Sequence, residues 1–241
     1  MIPQKIHYCW FGGKRKPKLA QKCIVSWKRF CPDYEIVEWN ENNVDLEEYP
    51  YLKWCYENKK WAFLSDLVRL LVVFKHGGIY LDTDVEVVKP LDALLECQAF
   101  YGFENNEFVA SGLGFGAVAG HQSVKRMIAL YADMLPDENG ELKMIGCPIL
   151  NTQALKGMGL HCDGQYQEFN GITVLSADYL NPYDNSTGTL KQTANTYSIH
   201  WYAKSALSPF NVLRSKLTRP IHRIFGANSL IWLRRRHSQH S

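Results

Sequence analysis

The 241-residue sequence lacks three features that would assign it to well-defined classes. It contains no run of about 18 or more apolar residues, so no membrane-spanning helix is predicted. Its net charge is only +3, too small to argue for nucleic acid as a partner. None of its seven cysteines forms a CxxC pair, and no Cys/His cluster has zinc spacing. Scattered cysteines of odd number indicate reduced thiols in a cytosolic protein.

Length and composition favour a globular enzyme-sized domain. The N-terminal sequence MIPQKIHYCWFGG has no long apolar run, so no signal peptide is expected. Hydrophobic residues make up 46% and charged residues 21% of the chain, which is close to globular averages and argues against wholesale disorder. The sequence predicts one α/β domain over residues 1–210, followed by a basic amphipathic tail over residues 211–241.

The tail mixes cations with large apolar residues, as in RSKLTRPIHRIFGANSLIWLRRRHSQHS. Two interpretations stay open. The tail is a pair of surface helices with a solvated basic face, or it is a peripheral anchor on an anionic membrane surface. The second interpretation would place a cytoplasmic protein on the inner face of the cytoplasmic membrane.

Strand and helix signals alternate along most of the chain. Strands are predicted at 5–10, 34–39, 98–103 and 172–176, and helices at 19–30, 49–56, 61–76 and 123–135. This β-α-β order favours a mostly parallel sheet with crossover helices on its faces. The last third of the chain is expected to be less regular.

The segment HGGIYLDTDVEVVKP carries the clearest chemical signal. Read as one strand from residue 79 to 88, it places an apolar set on one face and Asp82, Asp84 and Glu86 on the other. Stacked carboxylates repel one another unless solvent or a cation compensates them. A D-x-D pair offers hard oxygen ligands to Mg²⁺, Mn²⁺ or Ca²⁺, although an exposed acidic strand carries the same pattern.

The helix predicted over 61–76 contains two charged residues among large apolar ones. Asp66 and Arg69 are three positions apart, so they share a helix face and can form an ion pair. They either close the apolar stripe or hold a polar substrate. A charged pair in so apolar a helix is costly unless it is fully hydrogen-bonded, which favours the functional interpretation.

These stretches together resemble a known family. IHYCWFGG and AFLSDLVRLLVVFKHGGIYLDTDVEVVKPLD are similar to the DXD sugar-transferase family, which includes capsular-polysaccharide glycosyltransferases, the fungal initiating mannosyltransferase and the catalytic domains of glucosylating toxins. The resemblance covers about residues 1–120 and returns near residue 200. The pattern SDxxRxxxLxxxGGxYxDxD is matched except for its leucine, which is Val73 here.

The resemblance implies a GT-A-type nucleotide-sugar-binding fold and transfer of a sugar from a nucleotide diphosphate donor with Mn²⁺ or Mg²⁺. By this resemblance Trp10 matches the aromatic that stacks on the nucleotide base. Asp66 and Arg69 match the pair that binds the donor sugar, and Tyr80 matches a tyrosine that lines the donor site.

The metal and diphosphate ligands are also implied by the resemblance. Asp82 and Asp84 match the carboxylates that reach the metal and the ribose diphosphate. TYSIHWYAKSALSP resembles the closing motif of the family, in which His200 is a third metal ligand and Ser205 contacts the diphosphate. The tryptophan of that motif is Ala206 here, so the sequence departs from the family pattern in the segment that closes over the donor.

Two further segments are given weaker roles. The glycine-rich stretch 111–121 occupies the place where the family reaches toward the acceptor, or it simply forms turns. CPILNTQAL resembles a Gly-Pro…Thr element, with Cys147 where glycine is usual. Asn151 or Thr152 would then contact the donor or the acceptor.

The resemblance therefore implies a metal-dependent glycosyltransferase that retains the anomeric configuration and transfers a hexose or N-acetylhexosamine. Its donor is expected to be a nucleotide diphosphate sugar, in particular a UDP-sugar, and its acceptor a glycan or lipid-linked oligosaccharide of bacterial capsular or surface polysaccharide. No carboxylate stands out as a nucleophile, so front-face attack assisted by the leaving phosphate is favoured. Two alternatives remain: a glycosyltransferase that modifies a protein side chain, and a sugar-nucleotide binding module without turnover.

Overall fold

A seven-stranded sheet forms the centre of the computed structural model, which describes residues 1–132 and 134–203. The strands of the described residues are β1 (Lys5–Cys9), β2 (Glu35–Trp39), β3 (Gly78–Tyr80), β4 (Val85–Val87), β5 (Ala99–Gly102), β6 (Phe115–Ala117), β7 (Gln167–Phe169), β8 (Ile172–Leu175), β9 (Tyr183–Asp184), β10 (Thr189–Leu190) and β11 (Ser198–His200). The helices are α1 (Lys18–Phe30), α2 (Pro50–Glu57), α3 (Trp61–His76), α4 (Gln122–Ala132), α5 (Cys147–Lys156) and α6 (Ala177–Leu180).

The strand order of the central sheet is β2-β1-β3-β6-β5-β8-β7. Strand β1 pairs in parallel with β2 and β3, and β5 pairs in parallel with β8. Strand β6 runs antiparallel to β3 and β5, and β7 runs antiparallel to β8. Five of the seven strands therefore point the same way, which confirms the predicted α/β fold with a mostly parallel sheet.

Helices cover both faces of this sheet. One apolar cluster joins the sheet to α2, α3, α4 and α5, and includes Tyr51, Leu67, Met127 and Leu155. A second cluster on the other face includes Cys23 and Trp27 of α1. The three-layer arrangement follows from strands that are buried on both faces, because apolar side chains on each face need a covering helix.

Helix α3 connects the core to the site. Eight of its sixteen residues are buried, and six of these are aliphatic. Each fully buried aliphatic side chain contributes roughly 1.5–3 kcal/mol, so the packing of α3 fixes its position firmly. The helix ends at Gly77, whose φ of 62° suits glycine and whose N–H donates to the carbonyl of Val73 at 2.8 Å.

The predicted continuous strand from residue 79 to 88 is wrong. Strand β3 stops at Tyr80, and a turn closed by the Val85 N–H donating to the Asp82 carbonyl at 3.0 Å separates it from β4. Strand β4 leaves the central sheet and pairs antiparallel with β11. The alternation of side chains along one strand therefore does not hold here, and the turn re-aims Asp82 and Asp84 independently.

The C-terminal third of the described chain has short elements, such as β9, β10 and α6. No helix within residues 1–132 and 134–203 is long and apolar enough to cross a membrane. The predicted domain boundary at residue 210 and the tail 211–241 lie outside the described residues.

Candidate active site

Several of the predicted site residues, among those that the structure describes, lie at one edge of the central sheet. Strands β1, β2 and β3 run in parallel, so their carboxyl ends lie side by side. Asp82 follows the end of β3, and Trp10 follows the end of β1. Open α/β sheets bind their ligands at this edge, because loops there leave a crevice between strands.

Three potential metal ligands lie together beyond β3. Ligand atoms of Asp82, Asp84 and His200 are all within 4.8 Å of one another. His200 reaches the turn because β11 pairs with β4 and places it opposite Val85. His200 Nε2 lies 3.2 Å from Asp84 Oδ1. Residues more than 110 positions apart in sequence are thus joined by one short two-stranded sheet.

The backbone of the segment 200–203 is tied to Asp84. The Trp201 N–H donates to the Asp84 carbonyl at 3.0 Å, and the Ala203 N–H donates to Asp84 Oδ2 at 2.7 Å. Although burial opposes its charge, the hydrogen bond from His200 lowers the pKa of Asp84. Asp84 is therefore an ionised carboxylate at neutral pH, in the form that binds a cation.

The pKa of His200 is raised, whereas that of Asp84 is lowered. Burial disfavours imidazolium, but the hydrogen bond and the charge of Asp84 raise the pKa of His200. Its Nδ1 is buried and has no hydrogen-bond partner within the described part of the chain. Two carboxylates and one imidazole, whose Nδ1 is unpaired, fit the requirements of Mn²⁺ or Mg²⁺, and the imidazole favours Mn²⁺ because Mg²⁺ prefers oxygen ligands.

Arg69 contacts both Asp82, which is predicted to bind a metal, and Asp66, which is predicted to bind the sugar. Its guanidinium lies 3.1 Å from Asp66 Oδ1 and donates to Asp82 Oδ1 at 3.0 Å. Asp66 is 8% exposed and Arg69 is 3% exposed, so solvent screens the charges of this pair little, whereas the side chain of Asp82 is partly exposed. The predicted Asp66–Arg69 pair is present, and the contact from Arg69 to Asp82 is one that helix periodicity does not reveal.

Tyr80 packs under this group of charges. Its hydroxyl donates to Asp82 Oδ1 at 2.9 Å, and its ring lies 4.9 Å from the Arg69 guanidinium carbon. Burial raises the pKa of Asp82, an effect that Arg69 opposes and the neighbouring Asp84 charge reinforces. Tyr80 thus orients Asp82, and the expected lining of the donor site by Tyr80 stays a prediction.

Burial also perturbs Asp66. It raises the pKa of this carboxyl to about 6, while Arg69 opposes the shift and Asp82 adds to it. The N-terminal turn of α5 lies against Asp66, and the Cys147 backbone and thiol donate hydrogen bonds to it. The Cys147 thiol also lies 3.6 Å from Arg69 Nη1. Cys147 therefore belongs to the wall of the candidate sugar pocket, where the sequence pattern expects glycine.

The glycine-rich segment 111–121 begins with a 3-10 turn at Ser111–Leu113 beside the charged group, and its expected approach to an acceptor stays a prediction. Ser111 lies 3.4 Å from Arg69 Nη1, and β6 then carries the segment into the central sheet. A side chain at Gly112 would place its Cβ 2.7 Å from Asp82 Oδ2. Gly112 is therefore the one glycine of this segment that the charged group requires.

Asn151 and Thr152 act behind this wall. Asn151 Oδ1 accepts the Ser111 N–H at 2.9 Å, and Thr152 Oγ1 accepts the Val109 N–H at 2.9 Å. Both side chains are buried. They fix the backbone next to the charged group, so contact with a donor or acceptor is not needed to explain them.

The predicted nucleotide side of the site lies at the ends of β1 and β2. Trp10 Nε1 donates to the Lys14 carbonyl at 2.6 Å, which folds the following loop against the indole. Lys16 Nζ lies 5.7 Å from the Trp10 ring and donates to Glu38 Oε2 at 2.6 Å. Trp10 is half-buried and remains available for stacking.

Glu86 has a contact role that its strand position did not predict. Its Oε2 accepts the Lys22 ammonium at 2.7 Å and the Trp201 indole N–H at 2.8 Å. The Glu86 carboxylate is thus compensated by a cation, and it anchors the residue next to His200. Trp201 points toward Glu86, while the expected diphosphate contact Ser205 and the replaced position Ala206 lie outside the described residues.

Part of the chain is similar to a known protein family and to proteins of established name. Residues 17–101 match the family described as a glycosyltransferase sugar-binding region containing a DXD motif. Inositol phosphoceramide mannosyltransferase 3 of Schizosaccharomyces pombe is 33% identical over 105 residues, covering 41% of this chain and 29% of that protein. A human alpha-1,4-N-acetylglucosaminyltransferase is 24% identical over 148 residues, covering 57% of this chain and 39% of that enzyme. The match thus spans well under half the length of these relatives.

A solved structure, titled PaToxG glycosyltransferase, has a TM-score of 0.52 at 18% identity and covers 65% of this chain and 69% of that one. This similarity confirms the GT-A-type fold. The family match includes Asp66, Arg69, Tyr80 and the two DXD carboxylates, whereas Trp10 and His200 lie outside it and reach the site through the fold. Residues 17–101 therefore match the glycosyltransferase sugar-binding region that contains a DXD motif, and the resemblance of this chain to the DXD sugar-transferase family is confirmed.

Proposed function

We propose that this protein is a metal-dependent, retaining glycosyltransferase that moves a hexose or N-acetylhexosamine from a nucleotide diphosphate sugar to a glycan or lipid-linked acceptor. The observation that carries the proposal is the meeting of Asp82, Asp84 and His200 beside the buried Asp66–Arg69 pair. The relatives include both a mannosyltransferase and an N-acetylglucosaminyltransferase, which supports a hexose or N-acetylhexosamine donor.

Different residues of the site bind different parts of the donor. Asp82, Asp84 and His200 would hold Mn²⁺ or Mg²⁺ against the diphosphate. When bound, the cation acts as a Lewis acid that compensates charge developing on the leaving diphosphate. Asp66 accepts hydrogen bonds from sugar hydroxyls, and Arg69 holds the carboxylates of Asp66 and Asp82 at a fixed separation.

The nucleoside extends from the diphosphate toward the ends of β1 and β2. The half-buried Trp10 offers a ring face for the base, and stacking accepts any base because every base has a π-face. A UDP-sugar remains the donor of this proposal. Ser205 is proposed to contact the diphosphate from the segment that follows Ala203.

The acceptor and the location are proposed from the name of one relative and from features of the sequence. The name of the S. pombe relative includes a ceramide lipid, which supports a lipid-linked acceptor. A role in bacterial capsular or surface polysaccharide assembly rests on the sequence resemblance. Residence on the inner face of the cytoplasmic membrane rests on the basic, apolar composition of residues 211–241.

A nucleotide-sugar screen tests the proposed chemistry. Wild-type protein is incubated with UDP- and GDP-linked hexoses and N-acetylhexosamines, with Mn²⁺ or with EDTA, and released nucleoside diphosphate is measured. We expect Mn²⁺-dependent release with at least one donor, and loss of that release in Asp84→Asn. Asp33→Asn, which changes an exposed acid, serves as the matched control. Absence of metal-dependent release with every donor, together with absence of nucleotide binding, would refute the proposal.

The same screen separates the alternatives. Labelled donor is supplied with lipid extract or with lysate protein, and label is counted in the organic and precipitated-protein fractions. Label in protein alone would favour a protein-modifying enzyme. Nucleotide binding without release or transfer would favour a binding module.

A further inference from the structure

Glu104 lies at the same sheet edge as the proposed metal site. It follows β5, which runs in the same direction as β3 with only the antiparallel β6 between them. Its backbone is fixed on both sides: the Glu104 N–H donates to the Phe108 carbonyl at 2.7 Å, and Asn181 Nδ2 donates to the Glu104 carbonyl at 2.9 Å. The side chain therefore starts from a rigid position at the ligand-binding edge.

Tyr202 connects Glu104 to His200. The Tyr202 and His200 rings have centroids 4.1 Å apart, and the Tyr202 hydroxyl donates to Glu104 Oε1 at 3.4 Å. Asn181 Nδ2 donates to the same hydroxyl at 2.8 Å. Tyr202 has a φ of 50°, which a bulky residue adopts rarely and at a cost of about 1–3 kcal/mol. This conformation keeps the phenol between His200 and Glu104.

Other carboxylates near the metal site already have strong partners. Asp66 and Asp82 share Arg69, Glu86 takes Lys22, and Asp84 accepts from His200 and from a backbone N–H. Within residues 1–132 and 134–203, Glu104 has no cationic partner, and its side chain has one long hydrogen bond. A carboxylate has about four lone-pair positions, so Glu104 keeps acceptor capacity for a ligand hydroxyl.

We propose that Glu104 binds the hydroxyl of the acceptor and aims its oxygen at the donor sugar. The proposal rests on the proposed function. In the reaction, the hydroxyl oxygen forms a bond to the anomeric carbon while the bond from that carbon to the phosphate oxygen breaks. The electron pair of the broken bond and the hydroxyl proton both go to that phosphate oxygen. Glu104 accepts the hydrogen bond of the hydroxyl before the new bond forms, releases it as the proton passes to the phosphate oxygen, and is itself unchanged.

Water occupies the same position when a donor is hydrolysed, which makes a test possible before any acceptor is identified. The assay is Mn²⁺-dependent hydrolysis of the donor that wild type cleaves best, alongside calorimetric binding of Mn²⁺ and of the matching nucleoside diphosphate. Variants are Glu104→Gln, Glu104→Ala and the control Glu107→Gln, which changes an exposed acid of the same loop.

We expect kcat for hydrolysis to fall about 10- to 100-fold in Glu104→Ala and less in Glu104→Gln, because one charge-assisted hydrogen bond is lost or weakened. Dissociation constants for Mn²⁺ and nucleoside diphosphate should stay within about twofold of wild type, since Glu104 touches neither. Glu107→Gln should match wild type.

Three results would overturn the inference while leaving the proposed function intact. Unchanged hydrolysis in Glu104→Ala would show that the carboxylate does not act on the attacking oxygen. A parallel loss of Mn²⁺ affinity would show that Glu104 only supports His200 through Tyr202. A hexose adduct on Glu104 in wild type, found by mass spectrometry, would make it a nucleophile. Wild type that neither binds nucleotide nor hydrolyses any donor would instead refute the proposed function.

Discussion

Replacing Asp66 by asparagine should change how stability depends on pH. Burial raises the pKa of Asp66 from 3.8 to about 6, and this difference corresponds to about 3 kcal/mol at about 1.36 kcal/mol for each pKa unit. Because the folded pKa lies above the unfolded one, the stabilising proton is bound in both states below pH 3.8. The stabilisation that comes from protonated Asp66 is lost as pH rises through 6, so the ionised carboxylate lowers the free energy of unfolding at pH 8.

The expected magnitude follows from proton linkage. Between pH 8 and pH 5 the wild-type fold gains about 1.4 kcal/mol from Asp66, and Asp66→Asn has no such gain because its amide does not titrate. Arg69 keeps Asp82 as a partner in the variant, so the fold should persist. Urea unfolding at pH 5, 6.5 and 8 gives the free energy of unfolding of both proteins.

The control for this experiment is Asp33→Asn, which removes an exposed acid. Its difference from wild type should be nearly the same at each pH. If the difference between wild type and Asp66→Asn is also constant from pH 5 to pH 8, burial does not hold a proton on Asp66. The conclusion that burial in a low-dielectric pocket raises the pKa of Asp66 would then be wrong.

Two further variants test the neighbouring parts of the site. Gly112→Ala should weaken Mn²⁺ binding about 10-fold or more, because its Cβ would lie 2.7 Å from Asp82 Oδ2. The control is Gly157→Ala, where the added Cβ makes only ordinary van der Waals contacts. Its affinity for Mn²⁺, measured by calorimetry, should equal that of wild type. Trp10→Ala should raise the dissociation constants of UDP and GDP about 5- to 150-fold through loss of about 1–3 kcal/mol of stacking. The control is Tyr166→Ala, which removes an exposed aromatic side chain. If both variants bind UDP and GDP equally well, Trp10 does not stack on the base.

Local signals in the sequence were sufficient for much of the fold. Helix α3 and its stop at Gly77 follow from apolar spacing and from the conformational freedom of glycine. Strands β1 and β2 also follow from alternation and flanking breakers. These features depend on interactions within a few residues, which a sequence pattern records directly.

The features that the sequence predicted wrongly, or did not indicate, depend on contacts between distant segments. The break after Tyr80 arises because β4 pairs with β11 rather than continuing in the central sheet. The same pairing brings His200 to Asp84, which only the family resemblance anticipated. Glu104 had no motif to mark it, since its position depends on the direction of β5 and on the unusual backbone of Tyr202.

The guanidinium of Arg69 touches both the carboxylate proposed for the sugar and one proposed for the metal. Two ligands that share such a group do not bind independently, and their mutual effect must be equal in both directions. If the metal strengthens binding of the donor, the donor must strengthen binding of the metal by the same factor. The affinity for the cation, measured with donor bound, should therefore depend on which sugar the donor carries. A donor with the wrong sugar should leave the cation weakly bound.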